Sequence, residues 1–120
     1  MKTYKELKVW AKGMTLAAEV YALSRLLPKA EQYGMTSQLL RAAASVPAHI
    51  AEGYQRGTRR DYANFISIAR GSLAETETFL LLATNVGLLS EADSRHALAL
   101  ADELGRMLTT LRVRLINPRP

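Results

Sequence analysis

Three groups of basic residues offer the plainest chemistry in this sequence. Lys5, Lys8 and Lys12 recur at three- and four-residue spacing and so share one helix face. Arg56, Arg59 and Arg60 crowd one turn, and Arg106, Arg112 and Arg114 fall near the C-terminal end. Cations grouped in this way attract phosphate whatever the base sequence, because each contact releases condensed counterions. Tyr4, Trp10 and Tyr54 lie close to these groups and offer ring faces for base stacking. The plainer alternative is solvated helix-surface charge, with Arg near C-termini complementing the helix dipole. The formal charge of the 120-residue chain is +5, unevenly spread. Residues 1–60 hold ten Lys/Arg against four Asp/Glu, whereas residues 61–120 hold six against seven. A basic half points to a polyanion such as RNA or DNA.

Catalytic chemistry is harder to find. There is no cysteine, which excludes disulfides, thiolate metal sites and cysteine nucleophiles and fits a reducing compartment. No Gly-x-Ser-x-Gly elbow, phosphate loop or dinucleotide fingerprint occurs, and neither His49 nor His96 forms an evident nucleophile–base pair. Helical bundles do host carboxylate-bridged metals built on Glu-x-x-His turns. Here His49-x-x-Glu52 runs in the reverse order and occurs once, and Glu75 and Glu77, two apart, point to different faces. A metal-binding bundle is therefore a third reading, and no cofactor is expected. Glu52 and Arg56 have the favourable i,i+4 order of a surface ion pair. Alternatively Glu52 is partly buried and finds its partners in Ser72 or Arg70, as a buried carboxylate must.

Helices must position these residues, since apolar positions recur at three and four and never alternate with period two. One domain over residues 1–120 is expected, with helices over about 5–27, 36–55, 59–85 and 91–116. Pro28 stops the first, and Thr36, Thr58 and Ser90 are the expected N-caps of the others. Gly87 suits a left-handed cap after the third. The first helix carries two apolar stripes, one through Leu7, Trp10, Met14 and Tyr21, the other through Val9, Leu16, Val20, Leu23 and Leu27. Two stripes exceed what one core needs and hint at a subunit interface. Pro47 inside the second helix predicts a kink. Ala42 to Ser45, Ala48, Ala51 and Gly53 are expected to face Ala69, Gly71, Ser72 and Ala74 in a close helix–helix seam. Short links between long helices favour an antiparallel, up-down-up-down all-α bundle. In that arrangement the three basic groups meet at one end as a rim. Residues 1–6 lack the apolar region of a secretory signal, and no run reaches the ~18 apolar residues of a membrane span. A soluble cytoplasmic protein with no membrane partner is expected.

Taken in order, several motifs resemble one bacterial four-helix bundle family, that of the 23S ribosomal RNA intervening-sequence protein. They include Leu7-Lys8-Val9-Trp10, Glu31-Gln32-Tyr33-Gly34-Met35, Gln38-Leu39-Leu40-Arg41-Ala42-Ala43 and Ser45-Val46-Pro47. Ile50-Ala51-Glu52-Gly53, Arg56, Phe65, Ile68-Ala69 and Gly71-Ser72-Leu73-Ala74-Glu75 continue the match. The resemblance implies a left-handed antiparallel bundle assembling as a homopentameric ring, with no enzymatic activity. It also implies kinship with the accessory variability determinant of diversity-generating retroelements, a basic pentameric barrel that binds nucleic acid and a reverse transcriptase. Pro47, Glu52, Gly53, Arg56, Ser72 and Glu75 are the matched positions, expected to hold fold or interface. His49 stands where the family has Asn, so a contact made by that amide is replaced or becomes pH-sensitive. The leading expectation is a non-enzymatic homo-oligomer that binds nucleic acid through the rim. A scaffold or accessory subunit for a partner enzyme is the alternative.

Overall fold

The structure, a computed structural model, describes residues 3–117. Among them are four α-helices and no strand: α1 (Lys8–Ser24), α2 (Met35–Gln55), α3 (Arg59–Asn85) and α4 (Glu91–Ile116). Single 3₁₀ turns, Tyr4–Glu6 and Lys29–Glu31, precede α1 and α2. The bundle measures 52 × 21 × 19 Å.

Local chemistry sets the ends of each helix. The Thr58 side chain accepts from the Asp61 amide at the start of α3. Ser90 and Asp93 close a full capping box on α4, each side chain accepting from the other's backbone N–H at 3.0 Å. Gly87 follows α3 at φ +82°. The Leu88 amide donates to the Ala83 carbonyl and Gly87 to Thr84, the paired bonds of a Schellman ending. Two boundaries differ from the spacing-based expectation. The α1 helix is shorter at both ends, because Leu7 is extended and the chain tightens into 3₁₀-type bonds after Ser24. The α2 helix starts at Met35 without Thr36 as its cap, and the Glu31 carboxylate accepts from the Met35 amide instead.

Each helix packs on two neighbours, α1 and α3 both lying against α2 and α4. The buried positions repeat with helical period: Leu16 and Val20 in α1, Leu39, Val46 and Ile50 in α2, Ile66, Leu73 and Leu80 in α3, Leu104 and Leu108 in α4. Each such side chain contributes roughly 1.5–3 kcal/mol when fully buried. The buried Thr76 hydroxyl donates to the Ser72 carbonyl, and the Thr84 hydroxyl lies 3.3 Å from that of Ser94. Of the two stripes on α1, the one through Val9, Leu16 and Val20 enters the core. The other is divided: Leu7 is buried and Trp10 packs against the core, whereas Met14 and Tyr21 stay outside, about half exposed.

The small-residue seam is narrower than the sequence suggests. Ala42, Ala43, Gly53, Ala69 and Ser72 are buried, but Ala44, Ala48, Gly71 and Ala74 are exposed. Helical period explains this, since residues one or two apart cannot all face one neighbour. The decisive close approach is at Gly53, where an added Cβ would lie 2.5 Å from the Phe65 Cβ. Gly13 of α1 lies against Pro47, which is buried inside an uninterrupted α2, but there an added Cβ would sit at an ordinary contact distance of 3.4 Å. Opposite outcomes follow for two glycines on this helix pair. Gly53→Ala forces α2 and α3 apart and costs about 1–3 kcal/mol in chemical denaturation. Gly71→Ala, with nothing within 4 Å of the new methyl, stabilises α3 by up to about 1 kcal/mol.

Candidate nucleic-acid interface

The C-terminal turns of α4 lie between two hollows, each bordered by cations. The first, of about 1070 Å³, opens between the start of α3 and the end of α4. Arg59, Arg60 and Arg112 line it with Thr58, Asn64, Ser67 and a single carboxylate, Asp61. The second, of about 400 Å³, lies between the start of α1 and α4. Leu7, Val9, Tyr62, Met107 and Leu111 form its apolar walls, and Lys8, Arg106 and Arg114 its basic members.

Two of these arginines are anchored by the fold. Arg59 donates from Nε to the Leu115 carbonyl at 3.0 Å and from Nη2 to the Arg114 carbonyl at 3.2 Å. Those carbonyls belong to the last turn of α4, where no helical N–H follows, so a guanidinium there completes the helix end and meets its dipole. Arg112 donates through Nε to the Ser67 hydroxyl. Arg60 and Lys8 are exposed.

Lys5, Lys12 and Arg56 line neither hollow. Lys12 turns onto Glu103 at 2.8 Å, which holds that carboxyl below its usual range by hydrogen bond and charge. Lys5 is exposed in the 3₁₀ turn before α1 and lines neither hollow. Arg56 pairs with Glu52 at 3.1 Å and lies 5.0 Å over the Phe65 ring. Arg106 pairs with Asp102 at 3.2 Å on the exposed face of α4.

Residues 5–110 match the family described as 23S rRNA-intervening sequence protein. The chain belongs to that family. A protein of unknown function from the S23 ribosomal protein family of Bacteroides thetaiotaomicron VPI-5482, solved at 1.70 Å, is similar with a TM-score of 0.80. The two are 25% identical, and the match covers 87% of this chain and 97% of that one. No curated protein matches.

The family motif of this intervening-sequence protein homologue splits between three environments. Pro47 and Gly53 are buried at helix–helix contacts. Glu52 and Arg56 form the exposed pair, so Glu52 finds its partner in Arg56 and not in Ser72 or Arg70. Its position on the outer face of α2 keeps the carboxylate half in water, which removes the need for buried partners. His49, Ser72 and Glu75 line an outer furrow between α2 and α3, with Arg41 and Gln38 at its side. The His49 ring is 6.1 Å from Phe65, and its Nδ1 is buried without a partner. Among the described residues no three His, Asp or Glu side chains converge as metal ligands.

Sequence spacing identified Arg59, Arg60, Arg112 and Arg114 but not Ser67, Asn64 or the apolar walls of the second hollow. Ser67 has no local signature, because it lies 45 residues from Arg112 in sequence. Tyr62 stands edge-on to Tyr54 with ring centres 5.6 Å apart. Burial, and then the Tyr54 phenol, push its own phenol up to about 12. Tyr62 therefore stays neutral beside the cations.

Away from the rim, burial and then the Asp102 charge raise the Glu77 carboxyl above its usual range. The folded state thus holds this proton more tightly than the unfolded chain, and stability falls as pH rises from the ordinary carboxylate range through the raised value. Glu77→Gln should raise the melting temperature at pH 7. The gain should shrink towards zero when both proteins are melted near pH 3, where Glu77 is already protonated.

Proposed function

We propose that this chain is a non-enzymatic, homo-oligomeric protein that holds nucleic acid by its phosphates at the end of the bundle where α4 finishes. The observation that carries this reading is the pair of hollows around that end. Six cations line them against one carboxylate. Arg59 and Arg112 are already held in place by neighbouring groups, so less side-chain freedom is lost on binding. Phosphate contacts from such a rim give affinity without sequence readout.

The same reading takes the bundle as up-down-up-down and left-handed, and the assembly as a pentameric ring in the cytoplasm. Start-to-end meetings of neighbouring helices support the first point: Gly53 against Phe65, Arg59 against Leu115, Lys8 in one hollow with Arg114. The exposed stripe of α1, with Met14 and Tyr21, supports self-association. No helix among the described residues is long and apolar enough to cross a membrane. A ring repeats the rim, and repetition converts weak contacts into avidity.

A second reading is an accessory subunit or scaffold for a partner enzyme such as a reverse transcriptase. Exposed Leu81, Leu82 and Val86 at the opposite end of α3 favour it. Recovery of one protein partner after nuclease treatment would select it over direct nucleic-acid binding.

About five phosphate contacts imply an affinity for RNA or DNA that drops by about 10²–10³-fold between 50 and 200 mM salt. Arg60→Glu with Arg114→Glu should weaken binding and flatten the salt slope by roughly one unit for each phosphate that is no longer neutralised. Salt-insensitive binding in a gel-shift series contradicts the proposal. Light scattering should give a mass several times 13.3 kDa, and Met14→Glu with Tyr21→Glu should lower it. A monomeric mass for the unaltered protein overturns self-association.

A further inference from the structure

We infer that the slot between α1 and α4 takes a single unpaired nucleobase, so that the chain selects single-stranded over duplex nucleic acid. The inference rests on the proposed nucleic-acid binding and adds the form of strand that is bound. Its basis is the contrast between the two hollows. The one beside α3 is lined mainly by polar and charged groups. The one beside α1 has walls of Leu7, Tyr62, Met107 and Leu111, with cations and no carboxylate among its lining residues. An apolar recess ringed by positive charge suits a ligand with a flat, weakly polar body and anionic flanks. A nucleotide within a strand has that form, with its base between two phosphates.

Size and position agree. About 400 Å³ falls in the range of small-ligand sites, and it is ample for one base while too small to admit a duplex. Burial of the Tyr62 hydroxyl leaves the ring, not the polar tip, to form the wall, and a ring or thioether surface accepts any base. Met107 adds an adaptable thioether side. Lys8 and Arg114 are exposed, so they are free to follow the backbone on either side of the recess. A base paired within a duplex is stacked and turned inward, so a duplex meets only the cations and leaves the apolar walls wet. A strand with one base turned out uses both.

Thr110 offers a way to close the recess without touching its charges, because it lines the slot from an exposed position on α4. Fluorescence anisotropy at fixed salt would compare a labelled oligouridine, the same oligomer with abasic sites, and a duplex of equal phosphate count. The oligouridine should bind about tenfold more tightly than the abasic strand and the duplex, in keeping with one base stacked. Thr110→Trp should remove that tenfold difference and leave abasic and duplex binding, and their salt slopes, unchanged. Equal affinity for all three probes overturns the base slot while the phosphate reading stands. Binding to none of them at low salt overturns the phosphate reading itself. If Thr110→Trp changes only the oligomer mass, the recess belongs to a second copy of the chain and the inference fails.

Discussion

The close contact of Gly53 with Phe65 is the constraint on which the basic end of this bundle depends. With no side chain at Gly53, α2 and α3 meet within two turns of their connection. Gly57, at φ +86°, then lets the backbone leave α2 and re-enter helix within a few residues. The result sets Arg59 as the first residue of α3 and directs its guanidinium at the last carbonyls of α4. A wider α2–α3 spacing would move Arg59 away from those carbonyls. The hollow lined by Arg59, Arg60 and Arg112 would lose its shape with it. A backbone approach in the motif thus governs the geometry of residues that lie outside it.

That end of the bundle gathers like charges, which is unfavourable for the folded chain on its own. The fold limits the cost by giving several cations a dipole or hydroxyl to face. Arg59 meets the negative end of the α4 dipole, Arg112 meets Ser67, and Arg106 has Asp102 beside it. Lys12, nearer the middle of the bundle, is neutralised by Glu103. Lys8, Arg60 and Arg114 remain exposed where α1 begins and α4 ends. An anion bound there relieves repulsion as well as making contacts, so affinity and stability should rise together through linkage.

The helices were legible in the sequence because burial has a period, and a long amphipathic segment repeats that signal many times. The limits of α3 and α4 were marked by Thr58, Ser90 and Gly87, whose side chains or backbone preferences act within a few residues. The start of α2 was less legible. Glu31 serves it from within the preceding 3₁₀ turn, and a carboxylate reaching across a loop has no fixed spacing to read. The same distinction separates the parts of the candidate site. Arg59 and Arg60 are neighbours in sequence, whereas Arg112 with Ser67, or Lys8 with Arg114, meet only after helices pack. The small residues of α2 and α3 show the reverse error. Their abundance suggested one broad seam, yet a helix presents only part of its circumference to any neighbour, so Ala44, Ala48, Gly71 and Ala74 stay outside.

Those exposed small residues bear on how the family motif should be understood. Gly53 and Pro47 answer to packing within the chain, but Gly71 meets nothing within 4 Å. A helix-interior glycine in open space costs helix stability without a compensating contact inside this chain. The exposed stripe on α1 presents the opposite surface, with bulky Met14 and Tyr21 standing out from the bundle. One molecule therefore carries both a shallow furrow and a raised apolar ridge, on different helices. On the proposed self-association, surfaces of that kind would pair head to tail between copies and not through a two-fold axis, and such contacts close into a ring where the rotation between copies allows it. In a ring every copy presents its α4 end in the same sense about the axis. The cations that one subunit displays sparsely would then recur as a band, and the phosphate contacts proposed for each rim would act on one strand together.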